Sequence, residues 1–235
     1  MLGWHLFGLT GGNSNPVTTL TYPLALALPR CPPLMRWLRQ CMELRVDVDL
    51  RPEEVNADLN DIQKRLNTPG SALYGIPVIG SPGPGLVFRY READGEHYLY
   101  VEDVVRGQLA GYTVFNRLIE VGRRADPHLR APHSKYAPDY QGRGIATAVY
   151  EWGLSQGMCL ISGARQSTGA HGLWRALARK HELHHVHVEK KTLRHLARKP
   201  EAEVDGDLYT RMLLLGKGWT LPHLMQATGM RAQQA

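Results

Sequence analysis

In the stretch APDYQGRGIATAVYEWGLSQG (residues 137–157), two glycines stand directly before the clearest amphipathic helix of the chain. Glycine is a poor helix former, so its presence at a helix start needs a reason. Behind the glycines, Ile145, Ala148, Val149 and Trp152 recur at the i, i+3, i+4 and i+7 spacing of one helix face. We therefore expect this helix to pack on a sheet and to keep its glycine-rich start open.

The segment Gly142-Arg143-Gly144, the predicted first turn of this helix, is a candidate site for an anion. The first N–H groups of a helix lack internal partners and carry a partial positive charge. Glycines keep side chains away from these groups, and Arg143 adds a forked donor and a full charge. The same glycines equally fit a tight strand-to-helix turn that binds nothing. The pattern is not a Rossmann fingerprint, since Ala146 and Thr147 follow where a third glycine is expected, and no Gly-Lys-Ser/Thr of a phosphate loop occurs.

The rest of the chain predicts one mixed α/β (α+β) domain built on a single, mostly antiparallel sheet flanked by helices. A helix over 51–67 has a proline in its first turn and an apolar stripe at helical spacing. Two short strands flank a hairpin signal at Asp94-Gly95. The remaining predicted elements are, in order, a strand after a turn at Arg106-Gly107, a strand ending at Pro138, the helix described above, a short strand over 158–163, a helix over about 168–180, and two late strands in HHVHVEKKTL and DLYTRMLLLG.

Composition divides the chain into three parts. Residues 1–41 mix Gly, Asn, Thr and Pro with short apolar bursts, which predicts an irregular or poorly ordered extension. Residues 42–220 have the composition of a folded domain, and residues 221–235 are expected to be a C-terminal tail.

The charge balance favours an anionic partner. Lys and Arg number 28 and Asp and Glu number 22, which gives a net charge of +6 and a sequence pI of about 9.3. Such a surface suits a phosphate-bearing coenzyme, a nucleic acid or an acidic protein. The three cysteines form neither a metal-binding spacing nor an even disulfide set, which favours a reducing, cytoplasmic setting. No apolar run is long enough to cross a bilayer, so we expect no membrane partner.

The longer stretch YAPDYQGRGIATAVYEWGLSQG resembles the core motif of the GCN5-related N-acetyltransferases, the GNAT family. That motif is Gln/Arg-x-x-Gly-x-Gly/Ala, and Gln141, Gly144 and Ala146 occupy its three specified places. The preceding Pro-x-Tyr and the following amphipathic helix are also typical of the family. The resemblance covers about residues 85–216.

A second stretch, SGARQSTGAHGLWRALARK, is similar to the next GNAT motif. Ser167, Ala170, Leu173 and Trp174 stand where the family often has Asn-x-x-Ala-x-x-Leu-Tyr. An ordinary amphipathic helix would show the same apolar spacing. This stretch is also similar to acetyltransferases carried by bacteriophages, which suggests a phage-type member.

The resemblance implies an acetyl-CoA-dependent N-acetyltransferase that moves an acetyl group directly to an amine of a small molecule or a protein. It implies a sheet that splays between the strand ending near Pro138 and the strand at 158–163, with the pantetheine arm paired to the backbone of residues 133–137. The amides of the glycine turn would hold the coenzyme diphosphate. The residues implied in binding acetyl-CoA are Tyr136, Ala137, Gln141, Gly142, Arg143, Gly144, Ile145, Ala146, Ser167 and Ala170.

The resemblance leaves the proton-transfer groups open. His133 is the first candidate for the base that takes the proton of the amine, with Glu102 and Asp103 as alternatives. Trp174 stands where the family often has a tyrosine that protonates the leaving thiolate, and an indole N–H is not a useful acid. The groups that could assist instead are solvent, Ser167, Tyr136 and Tyr140.

The segment RKHELHHVHVEKKTLRHLARKP (residues 179–200) concentrates histidine and basic residues. A metal site is not expected, because no cysteine is close and His184 faces away from His185 and His187 on a strand. Nucleic acid is a disfavoured partner, because interleaved aromatic residues and binding motifs are missing. A solvated basic face, or contact with the 3′-phosphate of CoA, fits the segment as well. Because Trp174 and the lack of a clear base depart from the family, a non-catalytic GNAT-fold module that binds a protein or nucleic acid stays open as the alternative function.

Overall fold

The computed structural model describes residues 51–197 and 209–232 of the 235-residue chain. The predictions made for residues 1–41 therefore lie outside the described residues. The described helices are α1 (Pro52–Leu66), α2 (Ile145–Ser155), α3 (Thr168–Leu177) and α4 (Leu221–Thr228). The described strands are β1 (Val78–Gly83), β2 (Leu86–Ala93), β3 (Glu96–Asp103), β4 (Gln108–Asn116), β5 (Leu129–Tyr136), β6 (Cys159–Ile161), β7 (Leu183–Glu189), β8 (Thr192–Leu196), β9 (Thr210–Leu214) and β10 (Arg231–Ala232).

The strands form one ten-stranded sheet in the order β1-β2-β3-β4-β5-β6-β9-β7-β8-β10. Neighbouring strands are antiparallel except for the pairs β5–β6 and β8–β10, which are parallel. The connection between β5 and β6 contains α2, because parallel neighbours need a crossover segment. The prediction of a mixed α+β domain on a mostly antiparallel sheet is confirmed.

Helices pack on both faces of the sheet. Leu99 and Tyr100 are successive buried residues of β3, so their side chains point to opposite faces. Tyr100 belongs to the apolar cluster that contains the buried residues of α1. Leu99 belongs to the cluster that contains the buried residues of α2 and α3. We call these two surfaces the α1 face and the α2 face.

Local signals explain the elements that agree with the sequence. α1 has a proline and acids in its first turn and bases in its last. Of the predicted stripe, Val55, Leu59 and Leu66 are buried, and Ile62 is partly buried against the same cluster. The β2–β3 hairpin turns at Asp94 and Gly95, whose φ angles of 55° and 74° are left-handed. Such angles match the twist of the flanking strands in a two-residue hairpin turn. Both predictions are confirmed.

The start of α2 differs from the prediction. Gly144 is the N-cap residue and the helix begins at Ile145, so the glycine turn precedes the helix instead of forming its first turn. The reason is that Gly142 and Gly144 have φ angles of 69° and 76°, which a right-handed helix cannot contain. β5 ends at Tyr136, before the predicted strand end at Pro138. Pro138 is instead the first residue of a short 3-10 helix that precedes the glycines.

The face of α2 that packs on the sheet is rotated from the predicted stripe. Val149, Tyr150 and Leu154 are buried, whereas the predicted Ala148 and Trp152 are only partly buried. Trp152 still packs against the ring of Phe115 of β4, with ring centroids 6.1 Å apart. Ile145 and Val149 of the predicted stripe thus lie in the core, and Ala148 and Trp152 lie at its margin.

The C-terminal part contains elements that the sequence reading does not predict. HHVHVEKKTL is the hairpin β7–β8 and not one strand, and it turns at Lys190 and Lys191 with φ angles of 47° and 63°. The predicted tail contains α4, which begins after Thr220, whose hydroxyl accepts a hydrogen bond from the backbone N–H of His223. Leu224 of α4 is fully buried, so this part of the predicted tail packs on the sheet.

Candidate functional site

A fork opens in the middle of the sheet between β5 and β6. The two strands pair only at Leu129 with Cys159 and at Arg130 with Leu160. β5 continues to Tyr136 with β4 as its partner. The strands therefore part beyond Arg130, between the two strands where the family resemblance implies a splay.

The backbone of β5 presents alternate residues to this fork. The N–H of Ala137 donates to the carbonyl oxygen of Ala110 at 3.0 Å, on the β4 side. Because the direction of backbone groups alternates along a strand, those of Ser134 and Tyr136 point to the fork. Within the predicted range 133–137, two residues thus face the opening, and the N–H of Ala137 is already used by the sheet.

Gln141 fixes the mouth of the fork. Its side-chain amide Nε2 donates to the backbone oxygen of Tyr136 at 2.9 Å. This bond gives the last fork-facing carbonyl of β5 a partner and ties the strand end to the glycine turn. The side chain of Gln141 therefore positions the backbone, a role that the sequence pattern does not reveal.

The glycine turn is open. A Cβ atom built on Gly142 or Gly144 meets no atom within 4 Å. Among the described residues, no side chain caps α2, so the first N–H groups of the helix are left for solvent or a ligand. Packing does not require glycine at these two positions. Glycine is favoured there because the backbone is left-handed. The absence of a side chain also leaves room for a ligand to approach the backbone.

Tyr140 anchors the chain just before the glycine turn. Its ring is 2% exposed, and its hydroxyl donates to Oδ2 of Asp103 at 2.7 Å and accepts from Nε2 of Gln108 at 2.9 Å. Asp103 also accepts hydrogen bonds from the backbone N–H groups of Arg106 and Val105 at 2.9 Å and 3.1 Å. The Arg106 N–H and the Tyr140 hydroxyl hold the pKa of Asp103 below its ordinary value. Asp103 is thus an anchor for the turn.

The residues of the second motif engage each other or the core. Ser167 is the N-cap of α3, and its hydroxyl accepts from the N–H of Ala170 at 3.1 Å. Trp174 is 2% exposed and meets the ring of Tyr150 edge-on at 6.1 Å. Trp174 is therefore a core residue, and the cap explains why a serine suits position 167.

A chain of buried and half-buried hydroxyl groups lies beside the fork on the α2 face. Oγ1 of Thr113 is 2.8 Å from Oγ of Ser134 and 3.0 Å from the hydroxyl of Tyr136. The hydroxyl of Tyr150 is hydrogen-bonded to Ser134, and burial raises its pKa to about 12. Burial also raises the pKa of Tyr136. Both phenols stay protonated at neutral pH. The place of Tyr150 in this chain depends on residues of β4 and β5, so its spacing in the sequence does not reveal it.

His133 points away from this hydroxyl chain. On β5 it alternates with Ser134 and shares its direction with Lys135, which pairs with Asp58 of α1. The imidazole is therefore on the α1 face, where it is exposed. Desolvation by neighbouring atoms and the charge of Lys135 lower its pKa below 6.5. His133 is consequently neutral at pH 7 and able to accept a proton.

Glu102, one alternative base, is held by an ion pair. Its Oε2 accepts from Nε of Arg89 at 2.6 Å across the β2–β3 pair. Arg89 therefore holds the carboxylate of Glu102 against the surface of the sheet. Glu102 and Asp103 thus both have structural partners.

The histidine-rich segment contributes to packing and to one surface groove. The ring of His184 is buried beside His195, with centroids 5.6 Å apart, and His181 Nε2 is 2.7 Å from Oε2 of Glu151. In residues 51–197 and 209–232, no three His, Cys, Asp or Glu side chains come together as a metal site requires. A groove of about 850 Å³ runs from Gly144 along α2 to His181.

Within residues 51–197 and 209–232, no helix has the length and apolarity to span a membrane.

No family model and no curated protein matches the chain. Among solved structures, the chain is similar to a GNAT superfamily phosphinothricin acetyltransferase from Sinorhizobium meliloti in complex with AcCoA. That match has 21% identity and a TM-score of 0.34, and it covers 53% of this chain and 63% of the other. The chain is also similar to a cAMP-binding acyltransferase from Mycobacterium smegmatis, with 11% identity, a TM-score of 0.39, and coverage of 77% of this chain and 60% of the other.

A third similar structure is a variant of the spermidine N-acetyltransferase SpeG from Vibrio cholerae. Identity is 18%, the TM-score is 0.30, and the match covers 53% of this chain and 66% of the other. The chain thus spans less than two thirds of each of these three proteins. Because the sequence identities and TM-scores are this low, we draw no conclusion about substrate or activity from these similarities. The chain is similar to acyltransferases, one of them a member of the GNAT superfamily.

Proposed function

We propose that the chain is a GNAT-type, acetyl-CoA-dependent N-acetyltransferase that moves an acetyl group directly to an amine of a small molecule or a protein. The observation that carries this proposal is the open, left-handed turn at Gly142 and Gly144, directly beside the fork between β5 and β6. The turn offers helix N–H groups to an anion, and the fork offers unpaired strand backbone to an extended chain. A coenzyme with a diphosphate and an amide-containing arm needs both features side by side.

The donor would bind along a continuous backbone surface. The N–H groups of the glycine turn and of Ile145 and Ala146 would hold the diphosphate, with the guanidinium of Arg143 beside them. The amides of the pantetheine arm would pair with the backbone groups of Ser134 and with the N–H of Tyr136, because the carbonyl of Tyr136 already accepts from Gln141. Gln141, Ala137, Ser167 and Ala170 would keep these surfaces in place, since their own hydrogen bonds lie within the protein.

The chemistry needs a neutral amine and a proton acceptor. The amine nitrogen attacks the thioester carbonyl carbon, so that a C–N bond forms and the C–S bond breaks. The nitrogen gives its proton to His133, directly or through water, and the leaving thiolate takes a proton from solvent. A thiol pKa of roughly 8.5 means that this thiolate leaves without a strong acid. The low pKa of His133 supports its role as base, and its direction implies that the amine arrives from the α1 face.

The placement of Trp174 and Ser167 favours the alternative function, a non-catalytic module of the same fold that binds a protein or nucleic acid. Trp174 lies in the core against Tyr150, and the hydroxyl of Ser167 caps α3. Neither residue is arranged as an acid for the leaving group. A chain that only binds the coenzyme would tolerate this arrangement.

Two measurements on the full chain test the proposal. We expect acetyl-CoA to raise the thermal midpoint, and we expect release of free CoA thiol when a panel of primary amines and polyamines is added. Thiol release without amine serves as the background. Binding with no turnover on any amine would favour the alternative module. No change of thermal midpoint and no calorimetric binding of acetyl-CoA would contradict both functions.

A further inference from the structure

A second arginine lies beside the anchor of the glycine turn. The turn between β3 and β4 carries Arg106, whose guanidinium carbon is 5.8 Å from the ring centroid of Tyr140. The guanidinium carbon of Arg143 is 5.2 Å from the same centroid. Two side chains from distant parts of the sequence thus bring two positive charges to one ring at the entrance of the site.

The position of Arg106 is fixed by its own backbone. The N–H of Arg106 and the hydroxyl of Tyr140 both donate to the carboxylate of Asp103, at 2.9 Å and 2.7 Å. One buried carboxylate therefore sets the ring and the start of the arginine side chain together. The side chain itself is 56% exposed, so its donors can reach a ligand.

The charges around the ring are not balanced within the protein. Nε of Arg106 is 4.0 Å from Oδ2 of Asp103, whereas in the described part of the chain no carboxylate forms an ion pair with Arg143. Two like charges beside one ring repel each other, and an anion with several phosphate oxygens would relieve that repulsion. The forked donors of arginine match phosphate oxygens in geometry as well as in charge.

We propose that Arg106 is a second phosphate-binding residue, which together with Arg143 forms a two-arginine clamp on Tyr140 for the phosphate groups of the coenzyme. The inference rests on the proposed function and adds a residue that no motif points to, because Arg106 enters the sequence only as part of a turn signal. Its role is to bind the phosphate-bearing end of the donor.

Calorimetry on the full chain tests the clamp with three probes: CoA, pantetheine, which has no phosphate, and inorganic pyrophosphate. We expect Arg106→Gln to weaken CoA binding about 10-fold or more, the size of a lost charge-assisted hydrogen bond. Pyrophosphate binding should weaken in parallel, and pantetheine binding should not change. Arg106→Lys keeps the charge without the fork and should give an intermediate affinity.

Arg123→Gln is the matched control, because it removes one exposed positive charge from another part of the chain. CoA affinity of Arg106→Gln equal to that of Arg123→Gln would overturn the clamp while leaving the proposed function intact. Loss of pantetheine binding in Arg106→Gln would also overturn it, because the effect would then be a general disturbance of the site. If the unmodified chain binds pyrophosphate but not CoA, and Arg106→Gln weakens the pyrophosphate binding, Arg106 is a phosphate-binding residue, but both its assignment to a coenzyme and the proposed function are overturned. Binding of neither probe by the unmodified chain would overturn both.

Discussion

The hydroxyl of Tyr140 donates a 2.7 Å hydrogen bond to Oδ2 of Asp103, a residue 37 positions earlier in the chain. This bond joins the segment before the glycine turn to the turn between β3 and β4. Two backbone N–H groups of the β3–β4 turn hold Asp103 in place. Through Tyr140, Asp103 therefore fixes the segment before the glycine turn to the end of β3. The stability of the domain and the affinity for an anion should therefore be coupled through Tyr140.

Tyr140→Phe tests that coupling, since it removes the hydroxyl and keeps the ring on which the arginines lie. We expect the free energy of unfolding to fall by about 1–3 kcal/mol, because Gln108 and Asp103 each lose a buried partner. Urea unfolding measures this change. The affinity for acetyl-CoA should fall as well. Tyr74→Phe is the control, because Tyr74 is 53% exposed and its replacement should change the free energy of unfolding by no more than about 0.5 kcal/mol. Equal stability of the two variants would contradict the anchoring role.

Gly144→Ala separates backbone strain from coenzyme binding. The φ angle of 76° makes alanine unfavourable by about 1–2 kcal/mol, although no atom lies within 4 Å of the added Cβ. The new methyl group would also stand where an anion approaches the helix N–H groups, so we expect weaker binding of acetyl-CoA. Isothermal calorimetry measures the affinity, and urea unfolding measures the strain.

Gly70→Ala is the matched control for that variant. Gly70 has a φ angle of 84° and equally open surroundings, but it lies between α1 and β1. The Gly70→Ala variant should lose a similar free energy of unfolding and keep the affinity of the unmodified chain for acetyl-CoA. If both variants bind acetyl-CoA equally well, the glycine turn is not the phosphate site.

Elements with a local signal could be predicted from the sequence. The hairpin at Asp94-Gly95 and the stripe of α1 follow from backbone preference and spacing alone. The β7–β8 hairpin could not, because Lys190 and Lys191 adopt positive φ angles without glycine or asparagine to mark the turn. Its geometry comes from the pairing of the two strands with each other, which is a tertiary effect.

The candidate site divides in the same way. The glycine turn carries a local signal, although it precedes the helix and is not its first turn. The splay of the sheet next to it is implied by the family resemblance and not by any local signal. The contact from Gln141 to Tyr136 and the approach of Arg106 to Tyr140 depend on how the strands place distant residues. The burial of Trp174 depends on the packing of α3 against α2. No spacing in a single sequence encodes these three relationships.

A second glycine of α2 tests the packing of this helix on the sheet. A Cβ atom on Gly153 would lie 2.8 Å from Cε1 and 2.9 Å from Cζ of Phe115, whose side chain is fully buried. We expect Gly153→Ala to lower the free energy of unfolding by about 1–3 kcal/mol, because the ring must move within a packed core. Gly172→Ala in α3 is the opposite case, since no atom lies within 4 Å of its Cβ. There alanine should stabilise the protein by about 0.5–1 kcal/mol through helix propensity. A gain of stability at Gly153 would show that the Phe115 contact is loose.

The proton acceptor is tested through the pKa of His133. Desolvation and the charge of Lys135 disfavour the imidazolium, so nuclear magnetic resonance should give a pKa below 6.5. Lys135→Gln removes one of the two causes and should move that pKa upward. A group with a lowered pKa is neutral above that value, so turnover should fall as the pH drops through it, measured as kcat with saturating amine. His133→Gln should remove this acid limb and lower kcat, whereas His223→Gln, at an exposed position of α4, should keep both. An unchanged acid limb in His133→Gln would assign the proton to water or to another group.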